Sequence, residues 1–115
     1  MSKIPYIRNN ILHRPDGSVI CRLPLAGERT GWLDWLQDPL NKSFRFESTS
    51  GPHLTANKEH RIGRSGNDHY YWIAYRSVAG RKRRVSLGKS TGVSLQRLER
   101  AAQKLAQLAL PNFEH

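Results

Sequence analysis

The sequence predicts an α+β domain: an antiparallel β-sheet of three to four strands packed against a C-terminal α-helix, with an N-terminal hairpin and a short tryptophan-containing helix in front. Three observations predict it. From Ser43 to Gly88 polar and apolar residues tend to alternate, the repeat of a strand with one buried face. From Leu95 to Ala109 the aliphatic residues recur every three or four positions, the stripe of a helix that covers something. A length of 115 residues, with 37% hydrophobic and 24% charged, suits one modest core and excludes a large multidomain enzyme.

The elements follow in order. Ile11–Arg14 and Ser18–Arg22 are short strand-like runs around the turn signal Pro15-Asp16-Gly17, which makes a small hairpin. In Gly27–Asp38, Trp32, Leu33, Trp35 and Leu36 form an apolar stripe at helical spacing, and Pro39 stops it. Aromatic residues so spaced are core material, so both tryptophans are expected to be structural. Ser43–Ser48 alternates with period two, and Gly51-Pro52 separates it from a second strand, His53–Arg61. After the turn-rich Gly63–Asp68, Tyr70–Ser77 has the aromatic and apolar content of a central strand. Ala79-Gly80 turns the chain into Arg81–Gly88, antiparallel to it. Ser94 stands as the N-cap of the last helix, which runs to about Ala109 before Pro111. The resulting organisation is an N-terminal hairpin and helix over 1–42, a sheet-plus-helix unit over 43–110 and a tail over 111–115.

Strand parity then separates two faces. Trp72 and Ala74 share one side of the central strand, and Tyr71, Ile73, Tyr75 and Ser77 share the other. On the last strand Val85 and Leu87 oppose Lys82, Arg84 and Ser86. The helix needs an apolar seat, so it is expected over Trp72, Ala74, Val85 and Leu87. The second face is left bare, aromatic and basic. The whole chain carries 19 Lys and Arg against 9 Asp and Glu, a formal net charge of +10. Between Leu54 and Ser90 the nine cations Lys58, Arg61, Arg64, Arg76, Arg81, Lys82, Arg83, Arg84 and Lys89 stand against Glu59 and Asp68 alone. Such a surplus favours a polyanion, with nucleic acid first.

Other chemistries lack their residues. The single Cys21 cannot form an internal disulfide or a Cys-rich zinc site, and points to a reducing cytoplasm. His13, His53, His60, His69 and His115 have no metal-ligand spacing, so no metal is expected. Gly88-Lys89-Ser90 lacks the preceding glycine of a phosphate loop, and no Arg, His and Arg cluster accompanies Tyr75 as a nucleophile. The expectation is a binding protein without catalytic activity or cofactor. No apolar run reaches the roughly 18 to 20 residues of a membrane span, so no membrane partner or signal peptide is expected.

The run Tyr71-Trp72-Ile73-Ala74-Tyr75-Arg76, followed by Gly80–Arg84, Val85-Ser86-Leu87-Gly88-Lys89, a Ser/Thr-led turn and an Ala- and Leu-rich helix, resembles the AP2 and integrase N-terminal DNA-binding module over residues of about 53–109. That module is a three-stranded antiparallel sheet on one helix, and its sheet enters the major groove. The resemblance implies Tyr71, Ile73, Tyr75, Ser77, Lys82, Arg84 and Ser86 as DNA-facing positions, with Thr55, Asn57 and Arg61 on the first strand and Lys89 after the last. The module's first strand is typically Arg-rich and ends near a Trp, unlike the Thr55, Asn57, Glu59, Arg61 series here. The expected function is a small duplex-DNA-binding protein, nucleoid-associated, acting as a transcriptional regulator or an accessory factor of a mobile element or phage. The alternative is an adaptor that binds RNA or protein through the same face. The oligomeric state is left open.

Overall fold

A computed structural model of the chain describes residues 4–24, 30–49, 52–66, 68–78 and 80–109. The strands are β1 (Tyr6–Arg8), β2 (Ile11–His13), β3 (Val19–Arg22), β4 (Ser43–Glu47), β5 (His53–Ile62), β6 (Asp68–Val78) and β7 (Arg81–Gly88). The helices are α1 (Trp32–Gln37) and α2 (Leu95–Ala109), with a 3₁₀ turn at Ser90–Gly92 before α2. The expected helical stretch at 27–29, Ala79 of the last turn, and the tail 111–115 lie outside the described residues.

The sheet corrects the expected architecture. It has seven strands in the order β3-β2-β1-β4-β5-β6-β7, not three to four, and it is mixed, because β1 runs parallel to β4 while every other pair is antiparallel. The hairpin of the first quarter gains a third strand, β1, and joins the main sheet edge to edge. The physical reason is local. β1, the strand the sequence does not announce, is three residues long, below the length at which a period of two is visible. The turn between β1 and β2 is Asn9-Asn10, both at positive φ (53° and 65°), which is what a two-residue hairpin turn requires.

One face of the sheet is covered. α1 contributes Trp32 and Leu36, α2 contributes Leu98, Ala101, Ala102 and Leu105, and these join Phe44, Phe46, Leu54, Ala56, Trp72, Ala74 and Leu87 from the strands in one core. Ile7, Leu12 and Leu23 extend the same core beneath β1 and β2. Phe44 lies at the centre of an aromatic group, with ring centroids 5.2 Å from Trp72, 5.4 Å from Trp32 and 5.9 Å from Trp35. The tryptophans of α1 are therefore structural, and Trp32 Nε1 donates to the Val93 carbonyl at 2.8 Å, tying α1 to the approach to α2.

α2 begins where the sequence places its cap. The Ser94 hydroxyl accepts from the Arg97 N–H at 3.2 Å, and the Ser94 carbonyl receives the first helical bond from Leu98. The Ser48 hydroxyl and the Thr49 N–H both donate to the Glu99 carboxylate, which fixes the helix against the end of β4. A bulge between Trp72 and Ile73 sets Gly88 opposite Trp72 and Ser86 opposite Ile73. Gly88 sits at φ +82°, a left-handed backbone conformation that side-chain-bearing residues rarely adopt, so the Leu87-Gly88 pair needs its glycine to close β7.

The parity of β6 and β7 gives neighbouring residues different failure modes. Leu87 is fully buried under α2, so Leu87→Ala is expected to cost about 2 to 5 kcal/mol. Arg84 is exposed on the other side, so Arg84→Ala is expected to change stability by about 0.5 kcal/mol or less. Thermal melts of the two variants check this, and an early melt for Arg84→Ala with an unchanged Leu87→Ala would reverse the faces.

Candidate nucleic-acid interface

No described element covers the second face of the sheet. Its positions line up across the strands: His13 opposes Tyr6, Tyr6 opposes Arg45, Arg45 opposes Thr55, Thr55 opposes Tyr75 and Tyr75 opposes Arg84. A second row runs Ser43, Asn57, Ile73 and Ser86. Beyond it Glu59 opposes Tyr71 and Arg61 opposes His69, while Ser77 opposes Lys82 on the other side. Ten of the eleven positions expected to face DNA thus share this side: Thr55, Asn57, Arg61, Tyr71, Ile73, Tyr75, Ser77, Lys82, Arg84 and Ser86.

Two of the eleven differ in detail from a contact surface. Ile73 points to this face but is only 3% exposed, in register between Asn57 and Ser86 with Tyr71 and Tyr75 two residues away along its own strand. It is the apolar floor of the face and cannot reach a base edge. Lys89 lies past the Gly88 bulge and turns away from the row, lining a cavity of about 310 Å³ with Lys58, Tyr70, Ser90 and Thr91 beside the end of α1.

Tyr75 organises the centre. Its hydroxyl donates to Glu59 Oε1 at 2.8 Å, while Lys82 Nζ stands 4.3 Å and the Arg84 guanidinium 5.9 Å from its ring centroid. Glu59 also takes Arg61 Nη2 at 3.4 Å and lies 3.6 Å from Arg84 Nη2. Arg61 in turn stands 5.5 Å from the centroid of Tyr71. The cations are thus held over aromatic rings around one carboxylate, with their outer sides exposed. Both tyrosines are half-buried beneath these cations, which leaves their rings less available for stacking than an open platform would be.

Three residues of this surface, and one at its margin, are not among the positions expected to face DNA. Arg45 sits in the row between Tyr6 and Thr55 with its Nε buried and without a hydrogen-bond partner. His53 lines an open groove with Thr55, Asn57, Tyr75, Ser77 and Lys82; Arg76, of the opposite parity, borders that groove at its margin, and its Nη1 is also buried without a partner. Burial, with Arg45 and Arg76 nearby, pushes the His53 imidazole below its ordinary pKa, which favours the neutral ring. Glu59 is the fourth. The alternation Ser43-Phe44-Arg45-Phe46-Glu47 was enough to set Arg45 on the bare side, since Phe44 and Phe46 had to be buried.

No protein-family model, curated protein or solved structure matches the chain. Among the described residues no group of three His, Cys, Asp or Glu side chains is arranged to hold a metal ion, and no helix is long and apolar enough to cross a membrane.

The Glu59 carboxyl is held below its ordinary pKa, chiefly by the Tyr75 hydroxyl; burial opposes this as the next largest influence, and Arg61 and Arg84 each add a smaller depression. A depressed carboxyl contributes stability above its unfolded pKa and loses it as pH falls through the folded value. Tyr75→Phe removes the largest cause, so the Glu59 titration is expected to move up towards the ordinary carboxylate value. NMR titration of the Glu59 side-chain carboxyl carbon checks this, and an unmoved midpoint would show that the hydrogen bond is not made in solution.

Proposed function

We propose that this protein binds duplex DNA through the bare face of β5, β6 and β7, seated in the major groove, as a small transcriptional regulator or an accessory factor of a mobile element or phage. In this reading it works in the cytoplasm on the nucleoid, needs no cofactor and catalyses nothing. The observation that carries the proposal is the separation of parities on β6 and β7: Trp72, Ala74, Val85 and Leu87 go to the side packed with α1 and α2, while Tyr71, Tyr75, Lys82 and Arg84 stand together on the side that nothing described covers. Three strands at about 4.8 Å spacing make a ribbon about 10 Å wide, which suits a major groove of about 12 Å.

Roles follow from exposure and donor geometry. Arg84 and Lys82 offer donors to guanine O6 and N7 or to phosphate, Ser77 and Ser86 offer hydroxyls at the margins, and Thr55 and Asn57 contribute smaller polar groups from β5. Arg61 lies on the part of the β5–β6 hairpin that extends past β4, where it suits a phosphate. Covered tyrosine rings favour duplex over single-stranded RNA, because an RNA reader stacks splayed bases on open aromatics.

Fluorescence titrations with duplex DNA, single strands and structured RNA at several salt concentrations test the proposal. Duplex affinity is expected to fall linearly in log–log form with salt, as counterion release requires. Arg84→Ala is expected to cost about 1 to 3 kcal/mol of binding. Arg83→Ala is expected to cost less, because Arg83 opposes Arg76 on the other parity. Equal losses at Arg81, Lys82, Arg83 and Arg84 would mean an undifferentiated basic patch, and tighter binding to RNA than to duplex would overturn the DNA reading.

A further inference from the structure

We infer that the outer strands β1 and β4 form a second nucleic-acid contact surface, one that grips the phosphate backbone beside the groove occupied by β5–β7. The inference rests on the DNA reading above and extends it to a part of the chain outside the AP2-like stretch.

The row His13, Tyr6, Arg45, Thr55, Tyr75, Arg84 crosses six strands without a break. Five interstrand steps of about 4.8 Å make about 24 Å, twice the width of a major groove. Each step also rotates the strand direction by about 20 to 25°, so β1 and β2 cannot follow the groove that β5–β7 would follow. With β5–β7 seated, β4 and β1 come to lie against the sugar-phosphate ridge to one side.

Their side chains have the chemistry of that ridge. Arg45 is the central cation, half-buried and with its buried Nε–H unsatisfied. Tyr6 stacks on His13 with centroids 4.9 Å apart, and the Arg8 guanidinium stands 5.1 Å from the Tyr6 ring. Arg8 Nε and Nη2 hold both oxygens of Glu47, at 3.2 and 3.1 Å, so the one acid of this patch is already paired. Arg22 adds a further cation at the edge, opposite Ile11. Because the patch lies outside the groove, its arginines would meet phosphates and not base edges, so it is expected to position the duplex without choosing its sequence.

The test compares wild type, Arg45→Gln, Glu47→Gln and Arg84→Ala on duplexes of about 25 base pairs with several sequences, with melting temperatures measured alongside. Arg45→Gln is expected to bind about 3- to 10-fold more weakly on every sequence and to lower the salt slope by about 0.9. Glu47→Gln removes the negative charge and is expected to bind more tightly on every sequence, so it keeps the test decisive if Arg45→Gln folds poorly. Hydroxyl-radical footprints should lose protection on one flank in Arg45→Gln and keep it at the centre. If Glu47→Gln and a folded Arg45→Gln both bind like wild type while Arg84→Ala weakens, the outer strands make no contact and the groove reading survives. If Arg84→Ala also binds like wild type, both readings fall.

Discussion

The burial of Trp72 is the constraint on which the arrangement of this protein depends. The side chain is fully enclosed, packed on Phe44 and Trp35, with its Nε1 donating to Ser90 Oγ at 3.1 Å and Lys58 Nζ 5.2 Å above its ring. A bulky ring with one polar atom has few places to go, and this one occupies the junction of sheet, α1 and the 3₁₀ turn. Since a strand alternates strictly, fixing Trp72 inward fixes Tyr71, Ile73 and Tyr75 outward, and through the register it fixes Arg84, Thr55 and Arg45 as well. A slip of one residue would bury the guanidinium groups and expose the tryptophan, a change too costly to compete.

That constraint also explains what could be read in the sequence. Strands β4 to β7, the Pro15-Asp16-Gly17 turn, the Ser94 cap and the two faces follow from local patterns, because each is written within about ten residues. The seven-stranded sheet does not. The parallel pairing of Tyr6 with Arg45 and Ile7 with Phe46 joins segments with β2, β3 and α1 between them, and no local period records it. The signal that was available, Asn9-Asn10 between Arg8 and Ile11, marks a tight hairpin but says nothing of which strand its outer edge will meet. Ile73 illustrates a second limit. Parity gave its direction correctly, but burial on a nominally bare face depends on the size of its neighbours, which alternation does not report.

Edges and charge are linked in the same way. Joining the N-terminal hairpin to β4 covers an edge that a three- or four-stranded sheet would leave open, and moves one edge out to β3, only four residues long. The other edge is β7, where Arg81, Lys82, Arg83 and Arg84 are all exposed. Two such edges repel each other, so the basic run hinders edge-to-edge pairing whatever else it does. Four consecutive cations are more than that purpose needs, and their alternation matters: Arg81 and Arg83 lie on the parity of Val85, whereas Lys82 and Arg84 gather over Tyr75.

The bare face is therefore held together at an electrostatic cost that the protein offsets only in part. Among the described residues Glu59 and Glu47 are the two strand acids on this face, and each is bound to arginine: Glu47 to Arg8, Glu59 to Arg61 and Arg84. Each acid also spaces its cations at fixed distances, so that they repel one another less than if they stood alone. With both carboxylates engaged, the remaining charge of Arg45, Lys82 and the outer side of Arg84 has no internal counterion among these contacts, and it projects into solvent where salt screens it within about 10 Å. A polyanion laid along the row would replace that diffuse screening with direct contacts, and by linkage it would stabilise the folded register that brings the row together. The parity that buries Trp72 and the parity that would meet a ligand are the same parity, so binding and folding reinforce one register.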